Sequence, residues 1–165
     1  MLLITTARAP HKEIEEDPGA EVRLEMTRRA AEGEDGVEAS AIELEREGPS
    51  YSYLTLEALA EREPNREIFF LLGADVAADL ASWKEPERVL KLARLGLVPR
   101  PGVELGTVRS ALEGLGAADR AEIIEMPLCG VSSTMIRQRA AAAKPLRHLV
   151  PDPVAELIAE RELYR

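Results

Sequence analysis

The sequence predicts an α/β protein built on a parallel sheet with helices on both faces, and three observations carry that prediction. Residues 67–72 (EIFFLL) form an almost unbroken apolar run, too short for a lone helix and suited to a strand buried on both faces. Strand-like and helix-like stretches alternate along the chain, which argues for right-handed crossovers between parallel strands. The 67–72 run ends at Gly73, Asp75 follows, and Trp83, the only tryptophan, lies eight residues beyond Asp75. Ligands of open parallel sheets bind outside the carboxyl ends of the strands, where Gly73 and Asp75 are expected. The competing duty for these two is structural, a tight turn at Gly73 and a helix cap at Asp75.

In chain order, residues 2–5 read as a short strand starting close to the first residue, followed by a loop over 7–17 carrying Arg8, His11 and Lys12. Asp17 and Pro18 predict a helix start, with Val22, Met26 and Ala30 as its apolar stripe, closed by Gly33 and Gly36. Residues 37–44 are strand-like. The segment after Ser50 predicts a helix with Tyr53, Leu56 and Ala60 on one face. Past the central strand, 86–92 predicts a helix and 94–98 a strand, which the breaker Arg100, Pro101 and Gly102 ends. Val108, Leu112 and Leu115 mark the next helix, and 121–126 the next strand. Ser132 opens a helix with Ile136, Ala140 and Ala143 on its buried side. Asp152 and Pro153 start a terminal helix carrying Val154, Leu157, Ile158 and Arg161.

The length of 165 residues predicts a single domain, and 45% hydrophobic with 31% charged residues describes a soluble globular chain. No apolar run approaches the ~20 residues of a membrane span, and the first residues lack a secretory leader, so a cytoplasmic location is expected. A formal charge of -9 argues against nucleic acid as a partner, because phosphate backbones need clustered bases. Cys129 is the only cysteine, and it reads as a small core residue. His11 and His148 lie too far apart for a zinc site.

Several stretches could carry chemistry. Residues 131–137 (VSSTMIR) follow a strand and open a helix, where free N–H groups and the helix dipole hold phosphate oxygens. Ser132, Ser133 and Thr134 add hydroxyls and Arg137 a guanidinium fork, while serines at such a place also simply cap helices. His11 and Lys12 suit an anionic ligand, or form a solvated basic loop. Ser52 at a helix start could donate to a ligand or cap the helix. Trp83 offers a face for a flat ring, or fills a core.

Together, Ala9 to Lys12, Arg23 to Met26, Glu43 and Leu44, Ser50 to Leu56, Gly73 to Asp75 with Trp83, Arg100 to Gly102, 131–137 and Leu149 to Asp152 resemble the bacterial nicotinate mononucleotide adenylyltransferases. The resemblance covers residues 2–164. It implies a Rossmann-like α/β fold and transfer of AMP from ATP to nicotinate mononucleotide, with magnesium. It further implies that Ser132, Ser133, Thr134 and Arg137 hold ATP phosphates and that Gly73 and Asp75 face the nucleotide ribose. Trp83, Ser52, His11 and Lys12 would line the pocket of the nicotinate nucleotide. Ala9 and Ser52 stand where the family usually has proline and threonine. The family's opening strand, its Gly-Gly-Thr/Ser-Phe-Asp/Asn-Pro-x-His-x-Gly-His loop and the helix after it would precede Met1, so the resemblance assigns no catalytic residue and no metal ligand within 1–165. It implies an N-terminally truncated domain, inactive as numbered, with exposed apolar surface beside residues 2–5 and self-association through that edge. The alternative is a non-catalytic nucleotide-binding or interaction module, which a stop codon just upstream of Met1 would favour.

Overall fold

The computed structural model describes residues 1–9 and 17–165, so the predicted loop positions His11 and Lys12 lie outside the described residues. Five strands and seven α-helices are described: β1 (Leu2–Ile4), α1 (Ala20–Ala31), β2 (Glu38–Ser40), α2 (Ser52–Arg62), β3 (Ile68–Gly73), α3 (Ala74–Ala78), α4 (Pro86–Leu92), β4 (Ala93–Val98), α5 (Leu105–Gly114), β5 (Ala121–Ile123), α6 (Ser133–Ala141) and α7 (Asp152–Glu160). All strand pairs are parallel, as the alternation of strand and helix predicts. The chain divides into two compact units, residues 1–50 with 131–165, and residues 51–130.

In the first unit β1 pairs with β2, Leu3 opposite Ala39. Leu24 of α1 is buried, and Met26 and Ala30 of the same helix pack on a cluster of Ile136 and Ala140 from α6, Leu146, and Val154 and Ile158 from α7. Helices α1 and α7 are also tied by charge. Arg161 lies 2.7 Å from Glu25, and Arg29 lies 3.6 Å from Glu160. Helix α1 starts at Ala20 rather than at Asp17, whose carboxylate instead accepts from the Gly19 N–H at 3.1 Å and pairs with Arg23 at 2.9 Å. Ala143 lies past the end of α6 and is exposed with φ of 49°, so it does not continue the buried side predicted for that helix.

The second unit holds the sheet β3-β4-β5, with Gly73 opposite Val98 and Leu97 opposite Ile123. Leu72, Leu95 and Leu97 join Leu56, Ala74, Ala77, Leu80, Val89, Leu90, Val108 and Leu112 in one core. That core covers one face of the sheet. Strand β3 is not buried on both faces as predicted, because Phe69 is 46% and Leu71 is 47% exposed. These side chains alternate with the core-facing Phe70 and Leu72, so the apolar run presents one half of itself outward. Leu71 lies across the next strand at Gly96, where a Cβ would collide with it, and Ile124 lies 3.5 Å from that same Cβ position. The last predicted strand is shorter than 121–126. Its pairing ends with the Ile124 N–H donating to the Leu97 carbonyl at 2.9 Å, and Met126 and Leu128 are exposed. Cys129 is exposed, not a core residue, because it follows this point where the chain leaves the sheet. The strand predicted over 37–44 likewise narrows to β2, and the chain turns at 42–45.

Candidate functional site

Two groups of predicted site residues are described, one in each unit. In the second unit β3 ends at Gly73 and α3 follows directly, so Asp75 emerges at the carboxyl end of the strand. Its side chain makes no cap. The Asp75 carboxylate folds back over Gly73, so that a Cβ at position 73 would collide with Oδ1, and Arg100 Nε lies 3.7 Å from the same oxygen. Gly73 is needed here for space and not for its dihedral angles, since its φ is an ordinary -61°. Arg100 reaches the spot because Gly73 and Val98 are the paired last residues of their strands, and Arg100 stands two residues beyond Val98.

Trp83 follows a short 3-10 turn, Leu80–Ser82, and is half-buried. One edge meets Phe70 in a T-shaped contact, with 6.3 Å between ring centroids, and the ring packs on the periphery of the core. Ser52 is the first residue of α2, directly after the N-cap Tyr51, and is partly buried. Beside it on α2, Tyr53 stacks on Tyr51 and lies beneath the Arg88 guanidinium, 4.4 Å from the ring centroid. Arg88 also pairs with Glu57, whose carboxylate holds the guanidinium above its ordinary pKa.

In the first unit Ser132 caps α6, its hydroxyl oxygen accepting from the Met135 N–H at 3.2 Å. The capping duty is therefore realised, and the serine O–H proton remains available to donate. Ser133 and Thr134 are exposed in the first turn, and Arg137 donates to the Thr134 hydroxyl at 3.3 Å. The helix start thus presents backbone N–H groups, three hydroxyls and one guanidinium on one turn. Tyr164, partly buried in this unit, has its phenol raised above 10 chiefly by burial, with Asp17 adding to the shift and Arg137 and Arg23 opposing it.

Three features escaped the sequence. Ser50 is buried, and its hydroxyl accepts from the N–H groups of both Ala7 and Arg8, at 3.1 and 3.2 Å. Arg23 donates to the carbonyls of Thr6 and Ala7 while pairing with Asp17, so one side chain grips both ends of the predicted loop. Serine followed by tyrosine signals a helix start, and nothing local announces a partner more than 40 residues away. Arg100 reads as part of a chain breaker for the same reason.

Comparisons with known proteins bear on the family and the fold. A family model described as cytidylyltransferase-like matches residues 1–139. A probable nicotinate-nucleotide adenylyltransferase of Symbiobacterium thermophilum is 37% identical over 99% of the chain and 80% of the relative. That of Exiguobacterium sibiricum is 39% identical over 94% of the chain and 77% of the relative. The Bacillus subtilis nicotinate-nucleotide adenylyltransferase is 35% identical with the same two coverages, 94% and 77%. The fold is similar to Plasmodium falciparum nicotinic acid mononucleotide adenylyltransferase complexed with NaAD, with a TM-score of 0.75 at 16% identity over 99% of this chain and 81% of that one. On the sequence matches, the chain belongs to the cytidylyltransferase-like family and, within it, to the nicotinate-nucleotide adenylyltransferases.

Proposed function

We propose that the chain serves transfer of AMP from ATP to nicotinate mononucleotide, yielding nicotinate adenine dinucleotide and pyrophosphate. In that reaction a phosphate oxygen of the mononucleotide attacks the α-phosphorus of ATP, and the bond from that phosphorus to the bridging oxygen breaks as pyrophosphate leaves. The observation that carries the reading is sequence identity of 35–39% to nicotinate-nucleotide adenylyltransferases across 94–99% of the chain. The placement of Gly73 and Asp75 at a strand's carboxyl end supports it.

Ser132, Ser133, Thr134 and Arg137 would bind the ATP phosphates through charge-assisted donors, and Asp75 beside Gly73 would accept from ribose hydroxyls. Trp83 would stack on the pyridine ring, with Ser52, His11 and Lys12 around the same nucleotide. Magnesium enters with ATP as part of the substrate, held by phosphate oxygens, and Mg²⁺ of this kind keeps most of its ligands from water and phosphate. Among the described residues no group of three or more His, Cys, Asp or Glu is placed to hold a metal ion. A cytoplasmic location belongs to the same reading. Among the described residues no helix is long and apolar enough to cross a membrane. Self-association is proposed as well, supported by exposed Met1 and Leu2 beside β1 and by the outward apolar face of β3.

In-line transfer at phosphorus depends on positioning and charge more than on covalent chemistry. The test is pyrophosphate release with ATP, magnesium and nicotinate mononucleotide, from residues 1–165 and from a chain extended at its start by a His-x-Gly-His segment. Pyrophosphate release that requires nicotinate mononucleotide is expected, and release indifferent to the mononucleotide would overturn the reading. An ordinary rate of about 1 per second or more from residues 1–165 would place the catalytic groups within them.

A further inference from the structure

We propose that Arg100 is a positioning residue for Asp75, fixing the carboxylate that receives the nucleotide ribose. The inference rests on the proposed function of Asp75. Its basis is local to the ends of two paired strands. Gly73 and Val98 close β3 and β4 in register, and Arg100 is anchored just beyond by a turn in which its carbonyl accepts from the Val103 N–H at 3.2 Å. Gly102 in that turn has φ of 81°, which favours glycine. From this base the Arg100 guanidinium lies 3.7 Å from Asp75 Oδ1 and 3.4 Å from where a Cβ of Gly73 would be. The carboxylate occupies that missing volume.

Both side chains are about half exposed, and ion pairs so exposed add little to stability. The fold therefore has no need of this one. Its effect is on orientation: a free aspartate at a helix start samples several rotamers, and each must be given up when the carboxylate accepts two ribose hydroxyls. A carboxylate wedged over a glycine and held from one side by a cation meets the ligand already ordered.

The test titrates ATP and 2′,3′-dideoxy-ATP by calorimetry into residues 1–165 and into the variants Asp75→Asn, Arg100→Gln, Arg100→Lys and the double variant Asp75→Asn with Arg100→Gln. Asp75→Asn checks the ribose reading itself and should weaken ATP. Arg100→Gln should weaken ATP by about 3- to 10-fold, the range of one hydrogen bond to the ligand. It should leave the dideoxy nucleotide and the melting temperature unchanged, because only the missing hydroxyls report the carboxylate's orientation. Arg100→Lys should recover part of the loss, and the double variant should bind no more weakly than Asp75→Asn. If Asp75→Asn weakens ATP and Arg100→Gln does not, or if Arg100→Gln weakens both nucleotides equally, Arg100 does not act through Asp75. If Asp75→Asn leaves ATP untouched, or ATP does not bind at all, the ribose reading fails and the proposal with it.

Discussion

Single side chains carry most of what is specific in this chain. Ser50 satisfies two backbone donors from one buried hydroxyl. Ser50→Ala should therefore cost about 1–3 kcal/mol, as expected when buried donors lose their acceptor, and urea melts would show it. Trp83→Ala should weaken nicotinate mononucleotide several-fold, since aromatic stacking contributes roughly 0.5–1.5 kcal/mol beyond area burial, while ATP affinity holds. Equal loss of both ligands on calorimetry would make Trp83 a core residue only. Tyr164 gives a pH prediction. Burial raises its phenol above 10, so the folded state keeps a proton that the unfolded chain releases. That stabilising difference is absent from the pH dependence below 10 and appears as a loss of stability as pH rises from 10 through the folded value. Tyr164→Phe should flatten this alkaline fall, and melts between pH 9 and about 11 would measure it.

At the scale of elements, the period of the sequence located the strands and helices well and their ends poorly. The 86–92 helix has the bounds the sequence predicts, and β4 differs by one residue. Asp17 with Pro18 misplaced the start of α1 because the carboxylate is drawn to Arg23. The apolar run of β3 promised two buried faces, yet periodicity states only that side chains are apolar and not what covers them. Asp75 and Arg100 were each visible in the sequence, and their pairing was not, because it follows from the register of Gly73 against Val98. Ser132 shows the opposite case, where capping and ligand donation were both legible in one residue. Ser132→Ala should destabilise α6 by about 1 kcal/mol through loss of the cap, read as a shift in the urea midpoint with no change in slope.

For the molecule as a whole, parallel sheets are normally covered on both faces, and here Phe69 and Leu71 face outward with Met1 and Leu2 also exposed. Residues 1–165 should accordingly associate as concentration rises, and sedimentation velocity showing a monodisperse monomer across the micromolar range would contradict this. Function at this scale comes down to whether the chain receives a pyridine nucleotide. Trp83 is the only tryptophan, so the molecule carries its own reporter at the place in question. Titrating nicotinate mononucleotide while following tryptophan fluorescence should give a saturable quench, because a stacked pyridine accepts the excited electron, and ATP alone should leave the emission nearly unchanged. A signal that does not saturate, or that ATP and CTP reproduce to the same depth, would contradict the assignment of this site to the nicotinate nucleotide.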